Sequence, residues 1–358
     1  MRLTCASDHL RSAVTTAQTV VPSNPKLVAY SGVLVHVTAT HARVVASDGD
    51  AAISVAVPST RLTAGQALLP PKPLGAYLAT IASGTAVTLE MEESGDVVVS
   101  ADGRPDYRFR PLTSTFPMPA QIRAEPIPVD WSGLSAALKG VKPAVSRDYL
   151  VVQLVSDGES LVFNSTDNYR LHRSTLPKGG FGEFTGLFSL PMLELAARHD
   201  VTSVAVASDR TTVRCQGPAV TLSLRTVELQ FPNTDPIIGS VPGQSVSFER
   251  DDLIQALTRI ETVADGEPLV CEVDERTLRI AVNNPSLGSA SEEISVVDGP
   301  SAPFAFGVHG RYLLDGLSSL TAAKATLAWA GAEKPLYLLC EGAVPVTAVV
   351  MPVKLVTG

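Results

Sequence analysis

The sequence predicts an α+β fold made of three repeated domains, each with two helices and several short antiparallel strands. Three observations predict it. The chain has 358 residues, more than a single hydrophobic core usually serves. One amphipathic helix signature occurs three times. Each copy is followed, roughly 30 to 40 residues later, by the same strand-to-turn mark.

The helix signature reads Leu10, Ala13, Val14, Ala17, then Leu134, Ala137, Leu138, Val141, then Leu253, Ala256, Leu257, Ile260. Each set has the i, i+3, i+4, i+7 spacing that places an apolar stripe on one helix face. Cap-competent residues precede each set: Ser7 and Asp8, Asp130 and Ser132, Asp251 and Asp252. The copies recur at roughly 120 residues, too long for a solenoid, so each marks a whole domain. The strand-to-turn mark is Val44 to Gly49, then Val162 to Asn168, then Ile280 to Asn284; Asp, Asn and Gly suit such turns because they tolerate left-handed backbone or bond their own main chain.

A second helix per copy is expected at Leu69 to Ile81, Leu190 to Arg198 and His309 to Leu320, with Pro70 and Pro191 at helix starts, where a missing N–H costs least. Alternating Val-rich runs (Val97 to Ser100, Val204 to Ala207, Leu336 to Cys340) read as strands. Pro117 to Pro128 and Ile238 to Gln244 read as linkers. The expected domains are 1–122, 123–242 and 243–358.

Hydrophobic residues make up 45% and charged residues 18%, the balance of a folded chain, and aromatics only 5%, so the cores are mostly aliphatic. A net charge of −8 runs against the basic balance of most DNA-binding domains, unless acidic outer surfaces enclose a locally basic one. Cys5, Cys215, Cys271 and Cys340 show no CxxC spacing, so neither a disulfide framework nor a zinc site is expected. The opening MRLTCASDHL has no apolar core of a signal peptide and no stretch reaches membrane-span length, so a cytoplasmic location without membrane contact is expected.

Enzyme signals are weak. Gly180-Phe181-Gly182 with Gly186 echoes a phosphate-binding loop, but it follows Pro177, lacks the lysine and fits a long hairpin better. The six histidines have no metal-ligand spacing, and no nucleophile elbow stands out. No catalytic residue, metal or cofactor is expected.

Several segments carry a family resemblance. Val349-Val350-Met351-Pro352-Val353-Lys354-Leu355 resembles the Met-Pro-x-(Arg/Lys)-Leu terminus of the bacterial DNA sliding clamps, the beta subunits of the replicative DNA polymerase III holoenzyme. Ser165 to Leu171 resembles their Ala-Thr-Asp-Gly-His-Arg-Leu segment. Phe231-Pro232-Asn233, Asn283-Asn284-Pro285, Glu292-Glu293-Ile294, Tyr312 to Asp315 and the opening Met1 to Leu10 fit in order. The resemblance implies three clamp-type domains and a head-to-tail homodimer closing into a ring. It implies a processivity factor that encircles double-stranded DNA and tethers the polymerase catalytic subunit and the clamp loader.

Site residues follow from the same resemblance. A partner-peptide pocket between the second and third domains would comprise Leu150, Thr166, Asn168, Tyr169, Arg170, Leu171, Pro232, Ile237, His309, Tyr312, Val349, Val350, Met351, Pro352, Val353, Lys354 and Leu355. Helix-borne Arg11, Lys72, Lys139, Lys142, Arg198, Arg259 and Arg311 would face DNA. Tyr107 and Phe109 would meet Val263 of the partner subunit across the dimer edge. Departures stand out too: Asn168 and Tyr169 replace the family's Gly and His, Pro236 stands where a pocket Arg is usual, an aromatic is lost near Pro268, and Asn24 aligns near an Arg often placed against DNA. Two alternatives follow: a paralogue whose altered pocket resists a clamp-directed inhibitor, and, from another class, a hydrolase sharing the repeat.

Overall fold

The computed structural model describes residues 1–148, 150–239, 241–340 and 342–355. Ser240, in the second expected linker, and the end of the third expected domain at Gly358 lie outside the described residues. Among the described residues the α-helices are α1 (Ser7–Gln18), α2 (Pro71–Ala79), α3 (Leu134–Val141), α4 (Leu190–Ala197), α5 (Asp235–Ile238), α6 (Arg250–Ala264) and α7 (Gly310–Ser319). The chain forms two compact units, Met1–Pro128 with His199–Thr226, and Val129–Arg198 with Val227–Gly358. The middle third of the sequence therefore contributes to both.

The first unit holds two antiparallel sheets. One has five strands in the order Ser59–Thr63, Arg2–Ala6, Ala86–Met91, Val97–Ala101, Tyr107–Phe109. The other has eight: Ile127–Pro128, Ser203–Val206, Thr212–Gln216, Val220–Arg225, Ala51–Val57, Ala42–Ser47, Val33–Val37, Gly65–Leu69. Helix α1 packs on the sheets and against α2. On a sheet face, Phe116 closes a small cluster with Ala29, Leu34, Val45 and Leu68.

The second unit repeats the plan with an eight-stranded sheet ordered Glu183–Ser189, Val151–Asp157, Leu161–Thr166, Arg170–Leu176, Val346–Val350, Leu336–Cys340, Lys324–Trp329, Gln244–Glu249. A four-stranded sheet follows the order Gly288–Ser295, Thr277–Asn284, Leu269–Val273, Phe304–Val308. Helix α3 packs with α4, and α6 with α7. Each eight-stranded sheet joins strands from two different repeats of the sequence.

The three apolar stripes are the helix faces turned to the cores: all twelve residues are at most 3% exposed, which removes apolar side chains from water at about 1.5–3 kcal/mol for each large one. The turn marks are one motif in three copies. Asp48 Oδ1 accepts the Asp50 and Ala51 amides at 2.9 and 2.7 Å. Asp167 Oδ1 accepts those of Tyr169 and Arg170 at 3.1 and 3.0 Å. Asn284 Oδ1 accepts those of Ser286 and Leu287 at 2.9 and 3.1 Å. Each is an Asx turn, in which the side chain replaces a backbone acceptor.

Three expectations are corrected. The expected caps do not cap: α1, α3 and α6 follow Ala6, Gly133 and Glu249 with no side-chain cap bond. Ser7 donates instead to Ala82 O at 2.6 Å, Asp8 accepts from Gly84 N at 2.8 Å, and Asp130 holds Ser132 before α3 begins. The Gly180–Gly182 segment is no hairpin, because the strands it joins, Arg170–Leu176 and Glu183–Ser189, are not neighbours in the sheet. A Cβ at Gly180 would lie 2.6 Å from the Glu159 backbone, so the glycine serves close chain crossing. Finally, both linkers hold structure: Ile127–Pro128 pairs with Val204 and Ser203, and Ile238 ends α5.

Candidate functional site

The expected pocket residues lie within the second unit, and its strand register explains why many meet. Arg170–Leu176 pairs with Val346–Val350, placing Arg170 opposite Val350 and Leu171 opposite Val349. The chain then continues past the strand, with Met351 N donating to Tyr169 O at 2.9 Å and Val353 N to Gly307 O at 2.8 Å. The segment after Val350 is thereby tied on one side to the Asp167 turn and on the other to the strand leading into α7.

Arg170 is the centre of this corner. Its Nε donates to Asp167 at 2.9 Å and its Nη1 to Asp315 on α7 at 2.7 Å. The guanidinium lies 4.6 Å from the Tyr312 ring centroid, a cation–π distance. Tyr312 also stacks with Tyr169 at 6.4 Å and meets His309 edge-on at 5.7 Å. Thr166 Oγ1 donates to Arg170 O at 2.8 Å. Asn168 takes φ +75°, a left-handed conformation that Asn accepts at low cost. Asn168 thus makes the turn with a polar side chain on it.

A second patch adjoins the same strands. Leu171 and Val349 cluster with Ala328 and Tyr337, with Ile238 packed against them. Tyr337 Oη donates to Ile237 O at 2.9 Å. Tyr169, Met351, Ile237 and Leu150 are exposed apolar side chains. Leu150 has φ +50° and its carbonyl accepts Leu190 N at 2.7 Å. Val350 points the other way and is fully buried in the core of the unit. Pro232 lines a cavity of about 390 Å³ with Asn164, Arg173 and Asp235. Pro352, Val353 and Leu355 are half-buried, while Lys354 is exposed and 3.8 Å from Glu333.

Sequence reasoning missed Asp315 as the Arg170 partner, Tyr337, and Gly307. Tyr337 sits in an alternating strand like any other. Gly307 stands where the last segment crosses: a Cβ there would lie 2.5 Å from Val353 O and 2.9 Å from a Leu355 methyl. Gly307→Ala is therefore expected to displace the Val353–Leu355 segment and weaken partner-peptide binding at least tenfold, about 1.4 kcal/mol. Fluorescence anisotropy with an apolar partner-derived peptide measures it, and unchanged affinity would show that this segment is not a wall of the site.

The basic residues expected to face DNA sit on or beside the helices. Arg11 is half-buried; Lys72, Lys139, Lys142, Arg198, Arg259 and Arg311 are exposed. Three are engaged by carboxylates: Lys142 by Glu194 at 2.7 Å, Arg259 by both oxygens of Glu292 at 2.9 and 2.8 Å, and Arg311 by Asp315 at 3.2 Å. Within the helices the six basic residues Arg11, Lys72, Lys139, Arg250, Arg259 and Arg311 stand against seven acidic ones, Asp8, Glu194, Asp235, Asp251, Asp252, Glu261 and Asp315. The acidic residues are thus not confined to the sheets.

At the expected dimer edge, Tyr107 and Phe109 lie on an outermost strand of the five-stranded sheet. The Tyr107 ring is 4.1 Å from Tyr77 and half exposed; Phe109 is 6.1 Å from Tyr77 and buried. Val263 is half-buried on α6. The four cysteines are buried and form no disulfide among the described residues, and burial pushes the thiols of Cys5, Cys215 and Cys271 up to about 12. No helix among the described residues is long and apolar enough to cross a membrane.

Comparison with known proteins agrees with this architecture along the chain. Residues 1–121 match the DNA polymerase III beta subunit N-terminal domain, and residues 240–354 its C-terminal domain. The chain is 26% identical over 377 residues to the beta sliding clamp of Synechococcus elongatus, covering 99% of this chain and 100% of that one. It is 25% identical over 395 residues to that of Synechocystis, with the same coverage. Among solved structures, the sliding clamps of Pseudomonas aeruginosa (with ligand) and Bacillus subtilis superpose with TM-scores of 0.89 and 0.88, at 18% and 17% identity, covering 99% of this chain and 100% of each. With both terminal domains matched over well over half of its length, the chain belongs to the bacterial DNA polymerase III beta-subunit family, the beta sliding clamps.

Proposed function

We propose that the chain acts as a head-to-tail homodimeric ring around double-stranded DNA, tethering the polymerase catalytic subunit and exchanging with the clamp loader in the cytoplasm. As a family member it is a non-catalytic processivity factor of the DNA polymerase III holoenzyme. The observation that carries the ring is the threefold unit itself: one buried helix stripe and one Asx turn recur in each third of the chain. In this reading the repeats 1–122, 123–242 and 243–358 are the domains. Tyr107 with Phe109 meets the partner subunit near Val263, and heterologous contacts close the ring. Short apolar peptides of the partners dock at the corner formed by Tyr169, Tyr312, Met351 and Ile237, where extended segments find apolar contacts beside a few polar anchors.

Topology rather than charge holds the DNA. With Lys142, Arg259 and Arg311 already paired with carboxylates, few counterions are released on contact. Affinity for open linear duplex is expected to fall less than about tenfold between roughly 50 and 200 mM salt, as for at most about two phosphate contacts. The decisive experiment loads the protein on nicked circular DNA and then cuts the circle. A ring runs as a dimer of twice 37.6 kDa, stays on the circle through high salt and leaves on linearisation. Equal retention before and after cutting would overturn the ring.

A further inference from the structure

The first unit contains the same corner as the second, rebuilt with different chemistry. In the second unit Leu171 pairs with Val349, Val349 with Tyr337, and Met351 N donates to Tyr169 O at 2.9 Å. In the first, Ala52 pairs with Ser223, Ser223 with Arg214, and Arg225 N donates to Asp50 O at 2.9 Å. The same Asx turn precedes both, made by Asp167 in one and Asp48 in the other. A Phe-Pro segment flanks both, and the residue six positions after its Phe is held the same way: Tyr337 Oη donates to Ile237 O at 2.9 Å, and Arg214 Nη1 donates to Ile122 O at 2.8 Å. Position by position, Asp50 stands for Tyr169, Arg225 for Met351 and Arg214 for Tyr337.

The substitutions turn an aromatic and apolar corner into a charged one. A cavity of about 800 Å³ opens there, with Met118, Ile122, Arg123, Asp50, Asp209 and Arg225 in its lining. Met118 is 46% exposed, an apolar surface among these charges. Asp209 is engaged by the Thr211 amide and hydroxyl at 3.0 and 2.9 Å. Neither Arg123 nor Arg225 has an ion pair among the described residues, and the buried Nε of Arg214, behind Ile122, has no hydrogen-bond partner there. Arg225 feels Asp209 only at a distance, and guanidinium groups without a contact ion pair beside an exposed thioether fit a carboxylate next to an apolar side chain.

We infer that this cavity is a second peptide-docking site of the clamp, selective for an extended segment with one acidic residue between apolar ones. The carboxylate would meet Arg225 and Arg123, and its apolar neighbours the exposed Met118. Asp50 would repel a second carboxylate, so a run of acidic residues is disfavoured. The inference rests on the reading of the second unit's corner as a peptide site, since equivalence of backbone geometry is what makes a peptide the expected occupant.

The test uses the full-length protein carrying Tyr312→Ala, which disables the second unit's corner, and fluorescein-labelled heptapeptides Ser-Leu-Glu-Leu-Phe-Ser-Gly and Ser-Leu-Lys-Leu-Phe-Ser-Gly. The Glu peptide is expected to bind, and adding Arg225→Glu should weaken it at least tenfold while improving the Lys peptide. Arg225 is exposed, and an unchanged thermal melt verifies that the variant folds. Equal binding of both peptides, or indifference of the Glu peptide to Arg225→Glu, overturns the inference. The parent reading fails separately: an uncharged apolar partner peptide would then bind wild type and Tyr312→Ala alike.

Discussion

Arg170→Met should lower the stability of the clamp by about 2–3 kcal/mol, because it leaves two carboxylates without the donor that reaches both of them. Arg170 is only 12% exposed, and Asp167 and Asp315 are 20% and 23% exposed, so solvent replaces the lost hydrogen bonds incompletely. Met keeps the length and packing of the stem, which isolates the charge and the cation–π contact with Tyr312. Asp315 retains Arg311 at 3.2 Å, which holds the loss to the lower range for a broken buried pair. Arg170→Lys should recover less than half, since one ammonium cannot donate in two fixed directions. Urea unfolding measures both variants. A loss under about 0.5 kcal/mol for Met would mean that the network is a surface ornament. The same variants should also weaken apolar-peptide binding, because Arg170 fixes the Tyr312 ring that Tyr169 stacks on.

The second large effect is acid destabilisation through His172. This residue lies under α3, fully buried, with Nδ1–H donating to Gly140 O at 2.9 Å and Nε2 without a partner among the described residues. Burial pushes its pKa down to about 4, the Gly140 carbonyl acts in the opposite direction, and Arg170 adds to the depression. The folded protein thus holds the ring neutral while the unfolded chain protonates it near pH 6.5. Stability is full above pH 6.5, declines as pH falls from 6.5 toward 4, and the loss levels off below the folded pKa. The total is about 3 kcal/mol. His172→Asn, which can still donate to Gly140 O, should flatten this part of the profile. Chemical denaturation at half-unit pH steps decides it, and parallel profiles for the two proteins would refute the assignment. Carboxylates held low by backbone amides, such as Asp157 and Asp274, lose their contribution only at lower pH, so the His172 window is separable.

The sequence by itself determined what depends on neighbours along the chain. Three apolar stripes at helical spacing had to be core faces, and all twelve side chains are. The Asp48, Asp167 and Asn284 turns were legible because the side chain bonds amides two and three residues on. Cap positions were misread from equally local signals, because Ser7 and Asp8 found partners at Ala82 and Gly84, far along the chain.

Only the tertiary structure decided how repeats are joined and how charge is spent. Val220–Arg225 pairs with Ala51–Val57, and Val346–Val350 with Arg170–Leu176. Alternation marks each as a strand, but its partner is chosen by register across more than a hundred residues. Arg170 meets Asp315 over a separation of 145 residues, and Arg259 meets Glu292 over 33, pairings that spacing along the chain does not show. Spacing along a chain fixes which face of an element is apolar. Which charges neutralise one another, and which corner of a sheet becomes a site, depends on distances in space that only the folded chain sets.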